Sequence, residues 1–404
     1  MKKHLLAVVR SFVLILVVAV AALAVTATPS TTTAATTKHH KKKAAATKAA
    51  ATTMVVKAPP VKAPVTTVAA KTTTRKKVWV QTWDEPTYKD STAADKIDGE
   101  DITVRKAAAD ALGPLNGSVV VVDPTSGRIL TMINQPLTLG GGFQPCSTIK
   151  VSVALAALRE GLVERTSPAH FITKRASSSD LTDALAFSNN YYFANLGIKL
   201  GYERVNYYAH LFGYGEKAGL NVEGEHAGFF PAAPPKEGGM GMLTSFGEEI
   251  SQTPLELAAL MSAVANGGTL YWLQYPRTQE EVADFQPQVK RHLDIANLIS
   301  VIKPGMRGAV EFGTAKRAKQ DDEILGKTGT CSEGRTHLGW FGSFNEGTGR
   351  KLVVVVMLTG GRPSIGATAS GVAGDIYRIL ASENFFKGTT PLTPASLMTP
   401  QILR

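Results

Sequence analysis

Three short runs of the chain hold the residue types from which acyl-transfer chemistry is made. Ser147-Thr148-Ile149-Lys150 places a hydroxyl and an ammonium three residues apart at the start of an apolar helical stretch. Residues i and i+3 share a helix face, so Lys150 can reach the Ser147 hydroxyl. A lysine kept near its neutral form by desolvation or by nearby cations can take that proton and leave a nucleophile. The helix N-terminus adds its dipole and free N–H groups, which stabilise a developing oxyanion. Ser188-Asn189-Asn190 is Ser-x-Asn. Its hydroxyl can relay a proton, and the Asn190 carboxamide can both donate to and accept from a bound amide. Lys327-Thr328-Gly329 occurs once, in a run that reads as a strand. Alternation points Lys327 and Gly329 to one face, the glycine leaving room for an extended substrate along the edge. Lys327 and the hydroxyls of Thr328 and Thr330 suit a carboxylate.

Each run alone is weak. Ser300-x-x-Lys303 is a second Ser-x-x-Lys, while Ser343-Phe344-Asn345 and Ser382-Glu383-Asn384 repeat Ser-x-Asn. Such pairs ordinarily decorate a helix surface. Chain order separates them: only Ser147, Ser188 and Lys327 give Ser-x-x-Lys, then Ser-x-Asn, then Lys-Thr-Gly, because no Ser-x-Asn lies between Ser300 and Lys327.

The elements that must hold these runs can be read from period and punctuation. Residues 101–113 form a short amphipathic helix. Gly117–Val122 and Arg128–Ile133 form a hairpin around Asp123-Pro124-Thr125-Ser126-Gly127. Leu137–Pro145 reads as a Gly-rich loop feeding a helix from Ser147 to about Glu160, stopped before Gly161. Helical segments follow at 179–200 and 202–212, then a loop around Pro231–Gly241, then a helix from Pro254 to Ala265 ended by Gly267-Gly268. Ile324–Cys331, Leu338–Phe344 and Lys351–Leu358 read as three successive strands before a closing helix at 368–381. Strands at both ends and helices between them predict an α+β fold: an antiparallel sheet with flanking helices and an inserted all-helical lobe.

With the three motifs in order, the chain resembles the penicillin-binding protein transpeptidases, over roughly residues 113–385. Val119–Leu130 looks like the hairpin that opens that domain, and Ile250–Gly268 is similar to its helix before a Gly-Gly turn. Gly313-Thr314-Ala315 and His337-Leu338-Gly339-Trp340-Phe341 also sit where the family has such segments. The resemblance implies a β-lactamase/transpeptidase-like fold and acyl transfer on D-Ala-D-Ala stem peptides of peptidoglycan. Ser147 would attack, with Lys150 as general base. Ser188 would pass the proton to the leaving amine, and Asn190 would orient the peptide. Lys327, Thr328, Gly329 and Thr330 would bind substrate, and the N–H groups of Ser147 and Thr330 would form the oxyanion hole. β-Lactams would acylate the same serine. No cofactor and no metal are implied. The family's Gly-Gln-Gly is here Gly247-Glu248-Glu249, and 78–112 is too short for the pedestal of larger members. A D,D-carboxypeptidase or a serine β-lactamase remains an alternative, with a non-catalytic β-lactam receptor behind them. Class A β-lactamases carry Glu-x-x-Leu-Asn after the second motif. The nearest run, Glu216-Lys217-Ala218-Gly219-Leu220-Asn221, has one residue too many.

The two cysteines, Cys146 and Cys331, flank the first and third motifs. In the fold implied, the Lys-Thr-Gly strand runs beside the Ser-x-x-Lys helix. Some class A β-lactamases join similar motif-relative positions by a disulfide, so the resemblance implies one here. Two small buried cysteines packed as apolar groups are the other reading.

Composition and the N-terminal pattern point to an exported protein and exclude other classes. Of the 44 basic residues, 14 fall within 1–79, where there is no Asp or Glu; the remaining chain has 30 basic against 33 acidic residues. The body is nearly neutral, so a nucleic-acid partner is not expected. Lys2, Lys3 and Arg10 precede an apolar run from Phe12 to Val25, so residues 1–27 read as a signal peptide or a membrane anchor. Either reading places the body outside the cytoplasm, anchored to the cytoplasmic membrane or secreted. Residues 28–77 are an Ala/Thr/Lys/Pro linker, 78–112 a lead-in and 386–404 a C-terminal tail. Eight histidines without His-x-x-x-His spacing offer no metal site.

Overall fold

The computed structural model describes residues 83–164, 180–220, 222–347, 349–361 and 364–387. The apolar N-terminal segment, the linker, the start of the lead-in and all but the first residues of the tail lie outside them. Among the described residues no helix is long and apolar enough to cross a membrane.

In chain order the elements are α1 (Ile102–Leu112), β1 (Gly117–Asp123), β2 (Arg128–Ile133), α2 (Gln135–Leu139), α3 (Ile149–Arg159), α4 (Leu181–Ala186), α5 (Asn190–Leu200), α6 (Tyr202–Leu211), α7 (Gly239–Phe246), α8 (Pro254–Asn266), β3 (Thr269–Tyr271), α9 (Gln279–Ala283), β4 (Val289–His292), α10 (Ala296–Glu311), β5 (Ile324–Glu333), β6 (Thr336–Asn345), β7 (Val353–Gly360) and α11 (Ile365–Ser382). A 3-10 turn, Cys146–Thr148, precedes α3. Five strands form an antiparallel sheet in the order β2-β1-β7-β6-β5, and β3 pairs with β4 apart from it.

The continuous Val runs explain the layers. Strands buried on both faces read as unbroken apolar runs, and successive residues then feed opposite cores. Val120 and Val122 of β1, with Val353, Val355 and Met357 of β7, join the core shared with α3 and α8. Val119 and Val121, with Val354, Val356 and Leu358, join the core under α1 and α11. α8 starts in a capping box, where Thr253 and Glu256 each bond the other's backbone N–H, with Pro254 at the first turn. It ends at Gly267 in the left-handed region.

The structure departs from the sequence expectation in the middle of the chain. The helix expected across 179–200 is two helices, broken at Ser188, whose φ is +56°. Asn189 caps the second by accepting the Tyr192 N–H. The loop at Leu137–Pro145 contains the end of α2, and that around Pro231–Gly241 runs into α7. The β3–β4 ribbon, α9 and α10 fall where no element was expected. α10 carries the second Ser-x-x-Lys. There Ser300 is exposed and bonded to the Asn297 carbonyl, and Lys303 is paired with Glu346 at 2.9 Å.

Candidate active site

Three elements meet at Lys150. α3 is buried from Ile149 to Leu158, so its second residue, Lys150, is carried inside with an aliphatic stem among apolar neighbours. Its Nζ lies 2.9 Å from Ser147 Oγ, one turn back. The α4–α5 break supplies the rest: Nζ is 2.9 Å from the Ser188 carbonyl and 3.0 Å from Ser188 Oγ, and also donates to Asn190 Oδ1. The left-handed backbone at Ser188 is what turns both its carbonyl and its hydroxyl toward one ammonium. Among the described residues no carboxylate pairs with Lys150; its partners are hydroxyls and amides, with the Phe193 ring at 5.7 Å. Burial therefore lowers its pKa from 10.5 to about 7.

β5 is the sheet edge, with β6 on one side only. Lys327 is fully buried, and its Nζ donates to Ser188 Oγ at 2.9 Å and to the Thr328 carbonyl at 2.8 Å. Burial first, and the charge of Lys150 second, push its pKa well below the ordinary ammonium range. Ser188 Oγ thus receives two lysines. A hydroxyl has two lone pairs and one proton, so when both lysines donate, its proton is left to point elsewhere.

Gly329 faces the nucleophile turn: a Cβ there would sit 2.8 Å from the Pro145 carbonyl and 3.3 Å from Cys146 Cβ. The glycine makes room for Pro145 and Cys146, a closer neighbour than the substrate backbone the sequence suggested. Thr328 Oγ1 lies 2.6 Å from Thr314 Oγ1. One hydroxyl of that pair must donate to the other, which leaves one proton for an anion. Thr330 is exposed at the open edge.

Cys146, immediately before Ser147, is bonded through sulfur to Cys331, with Cα atoms 5.5 Å apart. Cys146 is left-handed at φ +52°, so the turn enters α3 under strain. Two further residues brace the turn. Gln144 accepts the indole N–H of buried Trp340 on its carbonyl at 2.9 Å, and its amide donates to the Phe246 carbonyl and to Glu248 Oε2. Neither Gln144 nor Thr314 stood out as a site residue in the sequence. A Thr after Gly313 was one cue; Gln144 has none, because its contacts come from β6 and α7, far along the chain.

The model of the penicillin-binding protein transpeptidase domain matches residues 117–381. The chain belongs to that family. Among curated proteins, this penicillin-binding protein chain is 27% identical over 314 residues to stage V sporulation protein D of Bacillus subtilis (strain 168), covering 66% of this chain and 48% of that one. It is 24% identical over 253 residues to peptidoglycan D,D-transpeptidase FtsI of Escherichia coli (strain K12), covering 52% and 43%. It thus spans about half the length of these relatives, or less. Coverage is more even with peptidoglycan D,D-transpeptidase PbpA of Mycobacterium tuberculosis (strain ATCC 25618 / H37Rv), at 24% identity, 68% of this chain and 69% of that one. The fold is shared with Pseudomonas aeruginosa PBP2, solved in complex with WCK 5153, at a TM-score of 0.57 and 23% identity, covering 70% and 77% of the two chains.

Proposed function

We propose that the protein is a D,D-transpeptidase that forms an acyl-enzyme at Ser147 with the D-Ala-D-Ala end of peptidoglycan stem peptides. The observation that carries this is Lys150 Nζ at 2.9 Å from Ser147 Oγ, buried, without a carboxylate, and with a pKa near 7. A neutral Lys150 has two N–H groups and one lone pair. The N–H groups satisfy the Ser188 carbonyl and Asn190 Oδ1; the lone pair faces the Ser147 hydroxyl. Lys150 takes the serine proton as the Ser147 Oγ–carbonyl bond forms. Collapse of the tetrahedral intermediate breaks the carbonyl–nitrogen bond, and the proton returns through Ser188 Oγ to the departing D-alanine amine. An amine of a second stem, or water, then takes the acyl group.

The substrate carboxylate belongs against Lys327, the Thr314–Thr328 hydroxyl pair and Thr330. The Ser147 and Thr330 N–H groups serve as the oxyanion hole, with Gly329 allowing their strand to lie against the turn. Oxidation of Cys146 and Cys331 outside the cytoplasm, where the apolar Phe12–Val25 segment sends the body, fixes that approach covalently. The β-lactamase reading is weaker. Glu216, the nearest carboxylate to the sequence pattern that would activate a deacylating water, is held by Lys290 and Arg291 at 2.9 and 2.5 Å.

The test is mass spectrometry of the purified protein after labelled penicillin. A persistent adduct on the Ser147 peptide supports the reading. Rapid loss with release of hydrolysed drug makes it a β-lactamase, and an adduct at Ser300, or none, overturns it.

A further inference from the structure

The β5–β6 hairpin outruns the sheet that supports it. The last β7 partner of β6 is Gly360, opposite His337, so the turn from Glu333 to Thr336 has no third strand beside it. The first described residues of the chain occupy that place. Asp84 accepts the Arg335 backbone N–H on Oδ2 at 3.1 Å and its guanidinium on Oδ1 at 3.0 and 2.7 Å. The Asp84 N–H reaches the Arg335 carbonyl at 3.4 Å, and the Glu85 N–H donates to Thr336 Oγ1 at 3.2 Å. The Trp83 ring packs against the His337 imidazole, centroids 4.7 Å apart and planes tilted by 45°, and His337 Nδ1 lies 2.7 Å from Ser332 Oγ. On its other side Trp83 is so close to Gly361 that a Cβ there would fall 1.8 Å from the indole. The Gly361 N–H in turn donates to Thr87 Oγ1 at 3.1 Å.

We propose that Trp83 and Asp84 are positioning residues for acyl transfer: by gripping the β5–β6 tip they hold Lys327–Thr330 in place against the nucleophile turn. The proposal rests on the acyl-transfer reading of Ser147. An unsupported two-stranded ribbon is marginal in water, so a bare tip would fray back toward Thr330, five residues from Arg335. The Cys146–Cys331 bond is a single attachment, about which an edge strand can still pivot. A second attachment four residues further along removes that freedom. An isolated exposed ion pair would not suffice. Here two guanidinium N–H groups converge on Asp84 Oδ1, backed by two hydrogen bonds to the Arg335 backbone and a tilted ring contact, so the grip acts as a unit.

The experiment compares the full chain with a Trp83→Ala/Asp84→Ala double variant. Acylation of Ser147 is followed with a fluorescent penicillin, and the peptide covering 327–336 is followed by hydrogen exchange. A fall of about tenfold in the acylation rate constant at saturating drug is expected, since small misplacements of a site cost one to two orders of magnitude. Faster exchange in that peptide and a nearly unchanged thermal midpoint should accompany it. Asp84→Glu should keep most of the rate, and Asp84→Arg with Arg335→Asp should recover part of the loss of either single change, restoring the ion pair but not the acceptor for the 335 backbone N–H. With Cys146→Ser/Cys331→Ser, the double variant should lose more than the two sets of changes predict separately. Unchanged exchange, or faster exchange with undiminished acylation, overturns the proposal. So does a loss that tracks the thermal midpoint and is not recovered by the charge swap. If the unaltered chain is not acylated at all, it is the reading of Ser147 that fails, and the exchange measurement still decides whether the grip exists.

Discussion

At the scale of single residues, the site is two buried ammonium groups sharing one serine hydroxyl. Burial holds both toward the neutral form, with no carboxylate paired to either among the described residues, and the proton at this site is easily moved. Ser147→Ala should abolish acylation. Lys150→Ala should fold and still meet the drug but acylate roughly 10²–10⁴-fold more slowly, measured by stopped-flow labelling. Near-normal acylation in Lys150→Ala would mean another base operates. The pH dependence follows from the sign of the shift. Lys150 is a base only when neutral, and its pKa lies near 7. The acylation rate should therefore climb with pH through about 7 and level off above it. A rate flat from pH 5.5 to 8.5 would contradict a lysine base. Ser300→Ala should leave labelling untouched, since Ser300 is bonded to its own helix and Lys303 is spent on Glu346.

At the scale of elements, what was legible in the sequence was whatever obeyed a local period. The Val runs of β1 and β7, the Pro254 start and Gly-Gly end of α8, and the Lys-Thr-Gly strand all read correctly because their neighbours in sequence determine them. α10 was hidden because Pro304, Gly305 and Gly308 lie inside it and argue against helix, while its packing on α4 outweighs them. The break at Ser188 was hidden for a related reason. The strain there is offset by contacts with Lys150 and Lys327, 38 and 139 residues away in sequence. The motifs were visible as types and spacing; their shared focus on Ser188 Oγ was not. Between elements, the Cys146–Cys331 bond closes a separation of 185 residues. Chain entropy assigns such a loop roughly 5 kcal/mol. Unfolded, unreduced protein should show no free thiol, and reduction should lower both the unfolding midpoint and the acylation rate. Two titratable thiols would remove the bond from the account.

At the scale of the whole molecule, the described part of the lead-in, from Trp83 onward, is part of the folded body. The buried carboxylates of Asp95 and Glu100 hold the guanidinium of Arg105 at 2.7 and 3.3 Å. Asp95 also accepts the Asn134 and Gln135 N–H groups, and Glu100 accepts from Thr131, Met132 and Tyr275. A chain beginning near residue 80 should be soluble, folded and penicillin-reactive. One beginning at residue 101 would leave the half-buried Arg105 without its two carboxylates and should be less stable, breaking a fully buried pair costing about 3–5 kcal/mol at most. Urea titration of the two lengths checks this; equal midpoints would show that the lead-in contributes nothing to the body.

The sulfur bridge also changes what a protease can do to this enzyme. Ser147 lies just inside the loop that Cys146 and Cys331 close, and the helical lobe lies wholly within it. A single cut anywhere between the lobe's helices therefore releases nothing: both pieces stay joined beside the nucleophile. Such a clipped enzyme should run as one band on a non-reducing gel and as two on a reducing gel, with bound penicillin travelling on the amino-terminal piece.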